Sequence, residues 1–432
     1  MHTFANVRLK SREPFAVYVH IPYCLRKCPY CDFNSYGISQ QAGGRTARME
    51  EEPYTAALER ELTHYAGQDA WKGRQVYSVF FGGGTPSLFS RASIERVLSG
   101  LSACFTLVPS AEITLEANPG TVQEELGREK LREFRNCGIN RISMGAQSFS
   151  PRKLKILGRW HSAGDIANAV SNIRRAGFEN FNLDLMFGIQ EESLEEWRYD
   201  LARLVALSPP HCSAYGLTIE PGTEFGKRAR RGACLLAAED DSAFMYEYTQ
   251  KTLERHGYTQ YEISNFARER FQCLHNLAYW SNYDYLGLGA GAHSYLEGRD
   301  SPDGESLQSG KIQKPQEAPF GRRWSNIPKP EHYIERVQTH GCAEQRSEVL
   351  NRENAEVEFF FLGLRKKDGV NADEYEQRFG AKLFPRYQST VERLQAEALL
   401  LRDFDTIRLT QKGLLFSDYV FQVFTTGNGP TA

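Results

Sequence analysis

Three cysteines, Cys24, Cys28 and Cys31, stand in one segment, "HIPYCLRKCPYCDFNSYG", separated by three and then two residues. Thiols this tightly spaced on a polar loop suit metal binding better than core packing. A structural zinc ion takes four protein ligands. His20 could serve as the fourth, but it lies in a strand-like run and no second cysteine pair stands nearby. A [4Fe–4S] cluster normally takes four thiolates. Three thiolates leave one iron open, and an open position is where an exogenous ligand binds.

The remaining six cysteines, Cys104, Cys137, Cys212, Cys234, Cys273 and Cys342, are scattered singly, which fits the reducing cytosol rather than a disulfide framework. The N-terminal "MHTFANVRLK" has no apolar core of a signal peptide. No run approaches the roughly 18 apolar residues of a membrane span, so a cytoplasmic protein is expected. With 432 residues the chain is too long for one ordinary core and predicts two or three domains. Hydrophobic content of 41%, aromatics of 12% and charged residues of 25% are those of a globular protein. A formal net charge of −2 excludes a global basic field for nucleic acid or anionic membranes.

The elements that must position the cysteines are legible as a repeat. Apolar, β-rich runs occur at 16–21, 76–81, 111–117, 141–146, 181–187 and 212–218. Helical patterns follow near 53–66, 91–104, 123–137, 163–176, 193–206 and 239–256. The spacing of about thirty residues is that of βαβ units. Near-continuous apolar strands imply a parallel sheet buried on both faces. Six units fall short of the eight of a closed barrel, so an open or partial barrel is expected.

Such sheets carry their chemistry at the carboxyl ends of the strands. The first run leads into the cysteines, the second into "GGGTP" and the third into "LEANPG". The fourth leads into "MGAQSF", and the fifth carries Asp184 followed by Gly188. Glycine and proline end strands anyway. Five ends enriched together still favour a site on one rim.

The C-x3-C-x2-C spacing, joined by "GGGTP" after the next strand, resembles the radical S-adenosylmethionine superfamily. That resemblance implies a partial (β/α)6 barrel, with the amino and carboxylate groups of S-adenosylmethionine taking the fourth cluster position. The motifs "YVHIPYCLRKCPYCDF", "FFGGGTPS", "LEANP", "RISMGAQSF", "LGRWH" and "NLDLMFG" are similar, over nearly the whole chain, to oxygen-independent coproporphyrinogen III oxidase and its relatives. By that resemblance Cys24, Cys28 and Cys31 hold the cluster. Tyr18, Tyr30 and Glu116 contact the cluster-bound S-adenosylmethionine. Gly83, Gly84, Thr85, Gln147, Arg159 and Asp184 match further S-adenosylmethionine contacts, several of them to a second molecule in the oxidase. The resemblance names no catalytic residue in this chain.

Two departures redirect the reading. The oxidase has another cysteine two residues after the third, where this chain has Phe33, and it has a longer arm before the first strand. Both departures mark the HemW group, regarded as haem chaperones, which also carries an H-N-x-x-Y-W motif. Here the motif is His275, Asn276, Tyr279 and Trp280. Imidazole is a good axial ligand for haem iron, and flanking aromatics offer apolar area to a macrocycle. A histidine beside aromatics is otherwise more often a packed residue. Cys273 lies two residues earlier but makes no C-x-x-C-H attachment site.

From about residue 225 the pattern changes. Residues 226–345 form a family-specific region containing that motif and a polar stretch, 298–323, that reads as a mobile surface loop. Residues 346–432 read as an α+β, winged-helix-like module, following a barrel domain of residues 1–225. A winged helix often binds DNA. Neutral overall charge and only a short basic run in this module, Arg365, Lys366 and Lys367, favour docking or packing instead, and no nucleic-acid partner is expected.

The expected function is binding haem and passing it to haem-dependent proteins, respiratory membrane enzymes among them. The cofactors are a [4Fe–4S] cluster and S-adenosylmethionine, with an electron donor as partner and a homodimer allowed. The alternative is oxidative decarboxylation of two coproporphyrinogen propionates, against which Phe33 and the short N-terminus argue. A radical enzyme acting on RNA is a third reading, disfavoured by the lack of a basic stripe.

Overall fold

The computed structural model describes residues 14–38, 49–298 and 319–426. Its strands are β1 (Phe15–Ile21), β2 (Tyr23–Cys24), β3 (Tyr36–Gly37), β4 (Gln75–Gly83), β5 (Thr106–Ala117), β6 (Arg141–Gln147), β7 (Asn180–Phe187) and β8 (His211–Gly216). They continue as β9 (Thr259–Gln260), β10 (Asn265–Ala267), β11 (Tyr285–Leu288), β12 (His293–Glu297), β13 (Gly321–Asn326), β14 (Glu344–Leu350), β15 (Val370–Asn371), β16 (Leu400–Asp403) and β17 (Thr406–Leu409).

β1, β4, β5, β6, β7 and β8 lie side by side and parallel, as the repeat predicts. Helices Glu51–Ala66, Arg91–Cys104, Glu125–Asn136, Ala163–Arg175 and Leu194–Leu207 join them. Their starts are written locally: Ser90, Ser162 and Ser193 each cap a helix through the side-chain oxygen. Asp165 and Glu196 complete reciprocal capping boxes.

Two features exceed the expectation. First, β11 pairs in parallel with β1 on the side away from β4, and antiparallel strands extend both edges into one twelve-stranded sheet of order β14-β13-β12-β11-β1-β4-β5-β6-β7-β8-β10-β9. The region after residue 225 therefore shares the barrel's sheet. The short run "YLGL" did not read as a strand because glycines and aromatics surround it. Second, the barrel strands are not apolar on both faces. Val17, Val19, Val79, Phe81, Leu115, Ile142 and Leu183 pack into the main core. The alternate positions, which line the inside, carry Tyr18, His20, Ser78, Glu112, Thr114, Glu116, Arg141, Ser143, Asn182, Asp184 and Ser213. Part of this polar interior is paired within itself, Asn182 bonding Ser143, Asp184, His211 and Ser213.

Within the polar stretch, residues 299–318 lie outside the described residues, while Gly321 onward forms β13. The C-terminal module has a three-stranded antiparallel sheet, order β15-β17-β16, with helices Arg352–Gly363, Ala372–Phe379, Leu383–Ala396, Gln411–Leu415 and Ser417–Thr426. Its basic run is a seam against the barrel. The Arg365 guanidinium stacks 4.7 Å from Trp280 and 5.8 Å from Phe421. Lys366 Nζ donates to Ser281 Oγ at 3.3 Å, and Lys367 N to the Tyr261 carbonyl at 3.0 Å. No described helix is long and apolar enough to cross a membrane.

Candidate cluster and cofactor site

The cysteine loop is closed at its neck by the short parallel pair β2–β3, Tyr23 opposite Tyr36 and Cys24 opposite Gly37. Asn34 Nδ2 ties the far side down through the carbonyls of Ala290 (2.9 Å) and Pro328 (2.8 Å). Each sulfur has a polar neighbour. Thr85 Oγ1 donates to Cys24 Sγ at 3.5 Å, Arg159 Nη1 donates to Cys28 Sγ at 3.4 Å, and Ser35 Oγ lies 3.8 Å from Cys31 Sγ. All nine cysteines are free thiols. Burial pushes the Cys24 thiol up to about 11, against the Thr85 hydrogen bond, and raises Cys31 as well.

His20 is 4% exposed and has no nitrogen to spare. Its Nε2–H donates to the Asn34 carbonyl at 2.7 Å, which leaves Nδ1 to accept from the Tyr18 hydroxyl at 3.1 Å. Among the described residues no three His, Cys, Asp or Glu side chains converge tightly enough for a single metal ion. Three half-buried thiols on one loop, with hydroxyl and guanidinium donors at the sulfurs, instead suit a multi-iron cluster, whose thiolates sit on different irons. Cys24, Cys28 and Cys31 would hold it, and the Arg159 charge would offset its negative charge.

The glycine motif lies against this loop. Gly83 has φ +111°, and a Cβ there would come within 2.4 Å of the His20 ring. A Cβ on Gly84 would meet the Tyr23 carbonyl oxygen at 2.6 Å. Gly84 N and Thr85 N donate to the carbonyls of Ile21 and Tyr23, both at 2.8 Å. The close approach that demands glycine is thus to the cysteine loop itself.

Glu116 Oε2 accepts from Gly83 N at 3.0 Å. Burial, with the Asp184 carboxylate nearby, pushes the Glu116 carboxyl up to about 8. The turn that follows is capped by Asn118, which leaves Glu116 free of a capping role. Asp184, also raised by burial, accepts from Asn182 Nδ2 at 2.7 Å. Arg159 Nη2 reaches back to the Gly145 carbonyl at 2.8 Å. Gln147 sits in the left-handed region at φ 67°, beside an irregularity in the β6–β7 ladder. Such strain persists only where surrounding bonds over-determine it. Here they come from Asp200, which accepts from Ser148 Oγ (2.7 Å), Phe149 N (2.6 Å) and Lys153 Nζ (2.7 Å) in a fully buried cluster with Glu192. Tyr30 packs near Phe225, and burial raises its hydroxyl above the ordinary tyrosine range. Gly83, Gly84, Thr85, Glu116 and Gln147 thus sit at the strand ends that face the cysteines, Tyr30 lies on the cysteine loop, Arg159 reaches Cys28, and Tyr18 and Asp184 lie deeper, within β1 and β7.

His275 is elsewhere. It lies on helix Leu274–Trp280 at the floor of the barrel, 1% exposed. Its ring stacks on Phe80 with centroids 5.1 Å apart and approaches Tyr18 at 6.1 Å. Nδ1 pairs with Ser78 Oγ and Nε2 with the Tyr279 hydroxyl, both at 3.0 Å. Burial, with Arg141 nearby, pulls its pKa down to about 3, so the ring is neutral. Trp280 faces Arg365 and the C-terminal module. An axial ligand at His275 Nε2 requires the Tyr279 hydroxyl to move aside.

Sequence reading did not single out Asn34, Ser35, Asp200, Glu112 or Arg141. For Glu112 a signal existed, since it alternates with Glu116 on one strand, whereas Arg141 joins that face only through the register of β6. For Asp200, a helical residue among many charges, there was none.

The Radical SAM superfamily model matches residues 18–204, and the HemN C-terminal domain model matches residues 350–416. The protein named heme chaperone HemW of Lactococcus lactis subsp. lactis (strain IL1403) is 32% identical over 413 residues, covering 96% of this chain and 98% of that protein. The one of Escherichia coli (strain K12) is 40% identical over 310 residues, 72% of this chain and 76% of its own. A mitochondrial radical S-adenosyl methionine domain-containing protein 1 of Danio rerio is 31% identical over 431 residues, 97% of this chain and 89% of its own. Among solved structures, coproporphyrinogen III oxidase (HemN) from Escherichia coli superposes with a TM-score of 0.75 at 24% identity, over 96% of this chain and 91% of that one, a likeness of fold. With its three-thiol loop, its partial barrel and its full-length kinship, the chain belongs to the HemW family of the radical SAM superfamily.

Proposed function

We propose that this protein binds haem and transfers it to haem-dependent proteins, with a [4Fe–4S] cluster at Cys24, Cys28 and Cys31 and S-adenosylmethionine at the barrel mouth. When bound, these two groups supply one-electron chemistry at a sulfonium. The chain's own residues close the loop, place Arg159 and Thr85 on the sulfurs, and present Glu116, Gln147 and Asp184 to the cofactor.

The observation that carries the reading is Phe33. It stands 66% exposed beside the cluster loop, where the oxidase pattern has a cysteine. The names of the full-length relatives point the same way. His275 is the proposed iron ligand, reached when Tyr279 releases Nε2. Respiratory membrane enzymes are the proposed acceptors, and the nine free thiols suit a cytosolic setting.

The test is to incubate anaerobically reconstituted protein with haem and, separately, with coproporphyrinogen III. Retained haem without decarboxylation is the expected result. Turnover of coproporphyrinogen would move the assignment to the oxidase.

A further inference from the structure

Arg141 is a buried charge on the inner face of the barrel. It is 1% exposed, yet its Nε has no hydrogen-bond partner among the described residues. Its Nε lies 3.9 Å from Glu112 Oε2, beyond hydrogen-bond reach. Glu112 cannot close that gap, because its carboxylate is spent on the floor helix. It accepts from Cys273 Sγ (3.4 Å), Leu274 N (3.2 Å) and His275 N (3.3 Å).

In register beside Arg141 stands Thr114, fully buried, whose Oγ1 likewise has no partner among the described residues. Buried polar groups are nearly always paired, and a planar five-donor fork left open is shaped for a carboxylate. The location suits an entering ligand. By register Arg141 pairs with Thr114, midway along β5 between Glu112, which holds the floor helix, and Glu116, which meets the glycine motif at the mouth.

We propose that Arg141 and Thr114 form a carboxylate-binding subsite inside the barrel. The guanidinium grips the two oxygens and the Thr114 hydroxyl donates a further hydrogen bond. The carboxylate that fits the reading above, on which this inference rests, is a propionate of the haem cargo. An amino-acid carboxylate, such as that of S-adenosylmethionine, shares the chemistry.

The experiment measures affinities of the full-length, anaerobically reconstituted protein for two ligand pairs: haem against haem dimethyl ester, and S-adenosylmethionine against its decarboxylated form. Wild type is compared with Arg141→Lys, which keeps the charge and loses the fork, and Arg141→Met. Cluster iron is assayed in parallel and should not change. The expected result is that wild type prefers haem over its ester by tenfold or more, and that this preference collapses in Arg141→Lys. A collapse in the S-adenosylmethionine pair instead upholds the carboxylate subsite and names the cofactor as its source. Should Arg141→Met fail to fold, the acid-to-ester ratio in wild type and Arg141→Lys still decides. Ratios unchanged by Arg141→Lys in both pairs would overturn the subsite. If wild type retains neither haem nor its ester, the chaperone reading falls, and the S-adenosylmethionine pair alone decides for Arg141.

Discussion

The mouth and the floor of the barrel treat their reactive side chains in opposite ways. At the mouth, Cys24, Cys28 and Cys31 are half-buried, and the polar atoms nearest them, from Thr85, Arg159 and Ser35, turn toward sulfur. At the floor, His275 is fully buried with both nitrogens paired. The thiols are held ready for a ligand. The histidine is held by its neighbours and becomes a ligand only if one of them lets go. Motifs that look equally chemical in a sequence can therefore stand at different distances from action.

The largest expected effect breaks the mouth alone. Cys28→Ala should lose most of the cluster iron after anaerobic reconstitution, while Cys104→Ala on its distant helix should not. Full iron content in Cys28→Ala would sink the assignment. Next comes the support beneath the strained Gln147. Asp200→Ala leaves Lys153 buried with one partner fewer, and loss of one member of a buried ionic cluster costs about 3–5 kcal/mol. Denaturant melts of the apo protein should register that loss, and a change under about 1 kcal/mol would show that Asp200 is dispensable.

A smaller effect separates the two regions by pH. Glu116, raised to about 8, contributes stability that is lost as pH climbs from the ordinary carboxylate range through 8. His275, lowered to about 3, contributes stability present above the ordinary imidazole value and lost as pH falls toward 3. Glu116→Gln should flatten the alkaline side of the stability profile, and His275→Gln the acid side. Profiles parallel to wild type would contradict both assignments.

The subtlest prediction concerns the Tyr279 hydroxyl. If Nε2 of His275 meets haem iron, Tyr279→Phe removes a competing hydrogen bond of about 1 kcal/mol and should raise haem affinity roughly fivefold. If the histidine only packs, affinity stays level while the melting temperature drops.

Much of this was legible beforehand because it is local. Cysteine spacing, serine caps and the thirty-residue rhythm are short-range patterns, so the six parallel units and the three-thiol loop could be read directly. The contents of the barrel were harder. "AEITLEA" and "FNLDLMF" look apolar as runs; each alternates within itself, but only pairing shows that Glu112, Thr114 and Glu116 share one inner face with Asn182 and Asp184. The parallel β11 was hidden because its pairing partner, β1, lies about 270 residues earlier in the chain, and no local signal reports so distant a contact.

By itself the sequence determined which thiols have the type and spacing to bind iron, because ligand type and spacing along one loop survive without a fold. Only the tertiary structure decided which candidates are available. His20 is bonded between Asn34 and Tyr18, His275 between Ser78 and Tyr279, and Trp280 lies under Arg365, whereas Arg141 Nε is left without a partner among the described residues inside the barrel. Availability depends on which donors and acceptors meet across distant strands, and those meetings exist only once the sheet has closed around them.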